Sequence, residues 1–280
     1  MRRAALLSIA FAFALASCAA APSQSRGGGI VSLNPCADAM LVRLVPPDRV
    51  AAISHYSADP AASSISPQVA ARYRHTRGTA EEVIAMRPDI VLAHSFVSPS
   101  VRAALDRAGV KTIYLGTPST VEDSKAQVAE VAALVGAEDA GRALNAEIDR
   151  AVAAASDYRG APIPALLWIS GNLVSGGGTL LDDMMVRAGF SDQAAYYGLQ
   201  FTGYLPMERV IVDPPRVMLV PDEQGRDRSS RAAMLRARAL AHVPGKVVQA
   251  PFPRRLVNCG GPVIIDAMDR LADVRRSVAP

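Results

Sequence analysis

From about residue 120 to residue 156 the chain carries no strand signal, while on both sides of that gap short β-branched runs alternate with helical stretches. That interruption constrains the fold more than any other feature. Ahead of it, residues 30–33 form a short apolar run closed by Asn34-Pro35, and a helix fits 37–44 with Met40, Leu41 and Leu44 at helical spacing. Residues 49–54, 89–93 and 111–115 read as further strands, and the small, polar, proline-bearing stretch 57–66 as a loop. Thr79 suits an N-cap, Glu81 and Glu82 suit the first turn that follows, and Pro88 ends that helix. Residues 101–108 make a helix stopped by Gly109. This βαβ rhythm calls for a largely parallel sheet covered by helices. Inside the gap the sequence is alanine-rich helix, broken at Gly136, and residues 139–155 put Ala143, Leu144, Ile148, Ala151 and Val152 on one stripe. Strands resume at 165–169, 217–220 and 246–249, with helices at 180–188, 207–211 and 231–239 and a last one from Pro262 to about Val274. The expected architecture is α/β: a first lobe over 29–118, a helical segment over 119–157 and a second lobe over 162–277, the lobes joined by a single long, rigid helix.

The N-terminus reads as an export signal. Arg2 and Arg3 precede an apolar stretch, 4–16, interrupted only by Ser8 and too short for a stable bilayer anchor. It ends in Leu15-Ala16-Ser17-Cys18, which resembles the lipobox of bacterial lipoproteins, where the cysteine becomes the acylated first residue. Residues 1–18 are expected to be a leader with Cys18 as the lipidation site, and 19–28 a flexible linker. An ordinary signal peptide with an incidental cysteine is the alternative. The chain has three cysteines, so once Cys18 is processed Cys36 and Cys259 remain as a pair in an oxidising compartment, where a disulfide persists. Two buried thiols, or two soft metal ligands, are the rival readings, although neither cysteine sits in a Cys-x-x-Cys pattern. A hydrophobic share of 50% against 20% charged residues argues for a globular chain. The net charge of +4 comes from scattered basic residues with no interleaved aromatics, which argues against a nucleic-acid groove. No later apolar run reaches membrane-spanning length, so membrane association is expected only through the lipid anchor.

Four segments, in order, resemble one family. They are Ile30-Val31-Ser32-Leu33-Asn34-Pro35; Ile53-Ser54-His55-Tyr56-Ser57-Ala58-Asp59-Pro60; the helix–proline–strand unit that runs from Glu81 through Pro88-Asp89 to Ala93; and a second such unit from Glu208 through Pro214-Pro215 to Val220. Together with the strandless middle they resemble the periplasmic binding proteins that deliver cobalamin, ferric siderophores or haem to ABC importers. The second segment is particularly similar to the cobalamin-binding members. The resemblance spans about Gly29 to the C-terminus. It implies two Rossmann-like α/β lobes on a helical backbone, the class III, metal-receptor type of binding protein, working in the periplasm as a monomer. It implies no covalently bound cofactor, and a cobalt corrinoid or ferric chelate as cargo. Its partner would be the dimeric membrane permease, onto whose arginines the matching glutamates, Glu81 and Glu208, would dock. One rigid connecting helix also implies small lobe closure and a largely preformed cleft.

In open α/β sheets the cleft lies beyond the strand ends. That makes His55, Tyr56, His94 and Ser95 the candidates in the first lobe, and Trp168, Asn172, Tyr204, Arg255 and Asn258 those in the second. Tyr56 matches a family position that touches cargo, and Tyr204 precedes the second docking helix. Trp168, the only tryptophan, suits the core and the cleft equally. Flat aromatics bury large areas against a macrocycle. His55 and His94 raise the possibility of direct metal ligation. His75 and His242 are expected to lie too far off to complete a free-ion site, so no protein metal site is expected. Where cobalamin binders carry a tryptophan ahead of the first docking helix, this chain has Thr76-Arg77, and Arg77 or Arg255 offers a partner for cargo carboxylates.

A haem or free-metal receptor of the same fold is the alternative within this class. An exported hydrolase is the alternative from another, and a structural envelope lipoprotein a third. Ser175-Gly176-Gly177-Gly178-Thr179 lacks the Gly-Lys-Ser/Thr ending of a phosphate loop, and neither Gly-x-Ser-x-Gly nor His-Glu-x-x-His occurs. Thr179 followed by Asp182 reads instead as a helix cap.

Overall fold

The computed structural model describes residues 28–60, 63–221, 240–241, 243 and 247–278. The leader, Cys18, most of the expected linker, the expected 231–239 helix and His242 lie outside them.

The first lobe is a five-stranded, wholly parallel sheet. Its strands are β1 (Ile30–Ser32), β2 (Val50–Ser54), β3 (His75–Thr76), β4 (Ile90–His94) and β5 (Thr112–Leu115), in the order β3-β2-β1-β4-β5. Helices α1 (Pro35–Leu44), α2 (Pro67–Ala70), α3 (Ala80–Met86) and α4 (Pro99–Arg107) connect them. Local chemistry sets the helix starts. Asn34 accepts a hydrogen bond from the Cys36 N–H at 2.9 Å with Pro35 in the first turn, and Thr79 caps α3 through the Glu82 N–H. The strand order reverses between β1 and β4, and this switch point opens a crevice at their carboxyl ends.

The strandless middle is two antiparallel helices, α5 (Val121–Leu134) and α6 (Glu138–Ser156), turned at Gly136 with φ +63°. Helix α5 closes a capping box between Thr120 and Asp123. The two helices touch at Gly141, where a Cβ would come within 2.5 Å of the Ala132 Cβ, so only glycine permits this approach. Helix α6 carries the chain from the first lobe to the second. Its 19 residues span about 28 Å, and Leu144, Ile148, Ala151 and Ala155 face the core. The central hydrophobic cluster runs through this bridge, from Met40 and Leu41 in α1 to Ile264 and Leu271 in the last helix, α10 (Val263–Val278).

The second lobe has a mixed sheet. Strands β6 (Ile163–Ser170), β10 (Val217–Val220) and β11 (Val248–Pro251) are parallel neighbours, and β8 (Phe190–Asp192) pairs parallel with the start of β6. Two short strands, β7 (Leu173–Val174) and β9 (Gly203–Tyr204), add an antiparallel edge at its carboxyl end. Helices α7 (Leu180–Arg187), α8 (Gln193–Tyr196) and α9 (Met207–Val212) complete it. The sequence expectation held no β3, β7, β8 or β9, because strands of two or three residues carry no periodic signal. None of the described helices is long and apolar enough to cross a membrane.

Cys36, in the first turn of α1, faces Cys259, in the loop ahead of α10, at disulfide spacing, with 5.2 Å between the Cα atoms. Two hydrogen bonds also tie the loops before α10 to the rest: Ser64 Oγ donates to the Arg255 carbonyl at 2.9 Å, and Ser124 Oγ accepts from the Gly261 N–H at 2.7 Å.

Candidate functional site

Between the carboxyl ends of the two sheets lies a cavity of about 650 Å³. The first lobe supplies Asn34 beyond β1, His94 and Phe96 at the end of β4, and the 116–119 segment that leaves β5. The second lobe supplies Ile169, Leu173, the Gly178–Leu181 turn, Phe201 and Thr202, and the 257–260 loop. The Cys36–Cys259 pair stands in its wall. A smaller cavity of about 330 Å³, lined by Arg49, Asp89 and Lys111 among others, sits at the opposite, amino ends of the first-lobe strands.

The wall is apolar with neutral polar groups set into it. Gln127 on α5 donates to the Gly116 carbonyl at 2.9 Å and holds the segment that leaves β5 against that helix. Thr179 caps α7 through the Asp182 N–H, and the Asp182 carboxylate accepts from the Gly178 N–H at 2.9 Å, so the glycine-rich turn is held as a helix start, as the sequence reads. Two aromatic rings project into the space from opposite lobes: Phe96 is 82% exposed and Phe201 66%. Phe201 has φ +61°, a left-handed conformation that a bulky residue adopts only under constraint. Backbone hydrogen bonds impose it: the Phe201 N–H donates to the Gly177 carbonyl at 2.8 Å, and the Gly176 N–H to the Phe201 carbonyl at 2.9 Å. A Cβ on Gly176 would meet the Leu199 carbonyl oxygen at 2.5 Å.

Of the residues expected from sequence, His94 and Asn258 line this cavity. His94 Nδ1 accepts from the Phe96 N–H at 3.0 Å, and the two rings lie 4.4 Å apart. Burial of the imidazole pushes its pKa below the ordinary value. His55 and Tyr56 are exposed in a 3-10 turn at the end of β2, rings 4.2 Å apart, at the same edge of the sheet but outside the cavity wall. Ser95 is exposed, and its carbonyl accepts from Arg102. Asn172 and Tyr204 are exposed around the β7–β9 edge, where the Asn172 carbonyl accepts from the Leu205 N–H. Arg255 is turned to Asp266 in an ion pair of 2.7 Å.

Trp168 leaves the candidate set. It is 1% exposed, packs with Leu166, Val174 and Met218, and donates its indole N–H to the Gly171 carbonyl. Strand β6 is central, with partners along its length, so the core reading holds. Sequence reasoning missed Phe96 and Phe201. The signal available for Phe201 was a lone aromatic bracketed by Gly198 and Gly203, a turn pattern. Glu81 and Glu208 are both exposed in the first turns of α3 and α9. Glu82, by contrast, is occupied: its carboxylate accepts from the Thr76 hydroxyl at 2.7 Å and the Arg77 N–H at 2.9 Å, which lowers its pKa. Among the described residues no group of three or more His, Cys, Asp or Glu side chains gathers as a metal site would need.

A family model described as "Periplasmic binding protein" matches residues 30–245. No curated protein matches the chain by sequence. Solved structures do match. The periplasmic heme-binding protein RhuT from Roseiflexus sp. RS-1 aligns with TM-score 0.69 at 22% identity, covering 88% of this chain and 98% of its own. The periplasmic heme-binding protein BhuT, in complex with two hemes, aligns with TM-score 0.68 at 25% identity over the same shares. The vitamin B12 binding protein BtuF of Vibrio cholerae aligns with TM-score 0.67 at 18% identity, covering 90% of this chain and 97% of its own.

Proposed function

Because the chain belongs to the periplasmic binding protein family, we propose that it is the substrate-binding protein of an ABC importer, which captures a metal chelate between its lobes and hands it to a membrane permease. The observation that carries this reading is the preformed cavity of about 650 Å³ with an exposed phenyl ring from each lobe. Its size suits a bound small molecule, and an exposed aromatic ring contributed by each lobe suits a flat macrocycle. The α6 bridge keeps the lobes at nearly fixed separation, so little ordering cost attends binding of a rigid chelate.

A cobalt corrinoid or a ferric chelate remains the cargo class. Haem is the second reading, favoured by the fold's likeness to RhuT and BhuT, both described as heme-binding. The export signature, the lipobox cysteine Cys18 and the Cys36–Cys259 pair support a periplasmic protein tethered by a lipid. Glu81 and Glu208, one on each lobe and both exposed, are the proposed contacts to the permease dimer. A carrier binds one equivalent and stops, whereas a hydrolase turns substrate over. Incubation with each chelate, followed by recovery of the ligand by chromatography, tests this: intact cargo supports the carrier, and converted cargo contradicts it.

A further inference from the structure

The two histidines near the cleft are held in opposite tautomers by backbone groups. At His94 the ring partner is the N–H of Phe96, 3.0 Å from Nδ1. An amide N–H can only donate, so Nδ1 must present its lone pair and the proton of the neutral ring sits on Nε2. Turning the ring over would set a carbon against that N–H and lose the bond. At His55 the ring partner is the Thr76 carbonyl, 3.3 Å from Nδ1. A carbonyl can only accept, so Nδ1 carries a proton there, and in the neutral ring the lone pair falls to Nε2. An imidazole that binds a metal through one nitrogen ordinarily donates from the other to a carbonyl or carboxylate. His55 has that arrangement and His94 has its inverse.

We infer that His94 recognises the cargo as a hydrogen-bond donor, through Nε2–H to an oxygen acceptor on the periphery of the chelate, and does not ligate its metal. Nε2 is the ring nitrogen left for the cavity, since Nδ1 is engaged by the main chain and the side chain lines the wall. Ligation through Nε2 would require the proton to move to Nδ1, against the Phe96 N–H, and would break the bond that shapes the 94–96 turn. The Phe96 ring packs on the imidazole at 4.4 Å, so the same turn aims both the donor and the aromatic face. Burial of the ring lowers its pKa, which favours the neutral, Nε2-protonated form. The acceptor is either a peripheral amide carbonyl or a carboxylate. This inference rests on the carrier reading.

The test uses the mature chain with two probes, cobinamide for amide acceptors and haem for carboxylates. His94→Ala should weaken binding of the preferred probe roughly tenfold, the worth of one hydrogen bond, while the visible absorption bands of the bound chelate stay unchanged. His94→Gln, whose side-chain amide keeps a donor, should recover most of that loss, and the probe that shows the effect identifies the acceptor. A shift in the absorption bands on His94→Ala would mark a lost axial ligand and overturn the inference, as would wild-type affinity in His94→Ala. Thermal melts of the variants exclude misfolding, and His94→Leu, which likewise lacks a donor, takes the place of Ala if Ala does not fold. Failure of the wild type to bind either probe would overturn the inference by excluding amide- and carboxylate-bearing macrocycles as cargo, a result distinct from any of these, while the carrier reading itself falls only if the remaining chelates fail as well.

Discussion

Cys36 and Cys259 lie 223 residues apart in sequence and 5.2 Å apart at Cα, the spacing at which a disulfide would join the first turn of α1 to the loop ahead of α10 across the cleft wall. A link closing so long a loop restricts the unfolded chain by an amount worth about 2–4 kcal/mol in typical proteins. The Cys36→Ser, Cys259→Ser double variant should lose stability of that order in urea titrations. Thiol labelling of the denatured, unreduced mature chain should find neither cysteine, and stoichiometric labelling of both would contradict the bond.

The exposed rings should matter for cargo and not for stability. Phe201→Gly removes a ring from the cavity at a position with φ +61°, where glycine relieves strain. Binding should weaken by about tenfold or more, while the melting temperature stays level or rises. A melting temperature that falls with affinity intact would reverse both halves of that expectation.

Asp38 gives the fold a pH dependence. It is 0% exposed in α1, beneath the turn that carries His55 and Tyr56. Its Oδ2 accepts from the Ser54 N–H at 3.0 Å and the Ser57 hydroxyl at 2.7 Å, while Oδ1 has no hydrogen-bond partner among the described residues. Burial pushes its pKa from 3.8 up to about 7. The folded chain therefore holds a proton that the unfolded chain has released between about pH 4 and 7, so this group's contribution falls as pH rises through that window. The loss is complete above about pH 7 and amounts to a few kcal/mol in order of magnitude. Asp38→Asn keeps an acceptor for Ser54 and Ser57 and removes the charge. It should flatten the dependence between about pH 4 and 7, apart from a smaller slope of the same sign from Asp192, pushed up to about 6 by burial. Equal slopes in wild type and variant would contradict this.

Glu81 and Glu208 are exposed and, among the described residues, no hydrogen bond or ion pair engages either, so reversing their charge should not disturb the lobes. Glu81→Arg with Glu208→Arg should leave chelate affinity within about twofold yet abolish uptake through the permease. Unimpaired uptake would remove the docking role.

Most of the lobes was legible in the sequence because their signals are local. Asn34, Thr79 and Thr179 announce helix starts within three residues, and the break at Gly136 separates α5 from α6 as its position suggests. The excursion from Asn172 to Tyr204 was not legible. Its strands are two residues long, and its shape depends on hydrogen bonds between Gly176, Gly177, Leu199 and Phe201, which no spacing encodes. Trp168 was ambiguous for a related reason: a central strand of an α/β sheet is buried on both faces, so alternation does not say which side a residue takes. Phe96 and Phe201 sit in loops, where an apolar residue has no period to belong to.

Calorimetric titration of mature protein, residues 19–280, with cobalamin, cobinamide, haem and a set of ferric siderophores tests the carrier role most directly. Trp168 is buried in the second-lobe core and does not line the cavity, and the coloured chelates absorb its emission, so heat is the better reporter. Saturable one-to-one binding of one chelate, with Kd below about a micromolar, is the expected result. Absence of binding to every chelate, with the protein folded and its cavity intact, would contradict it.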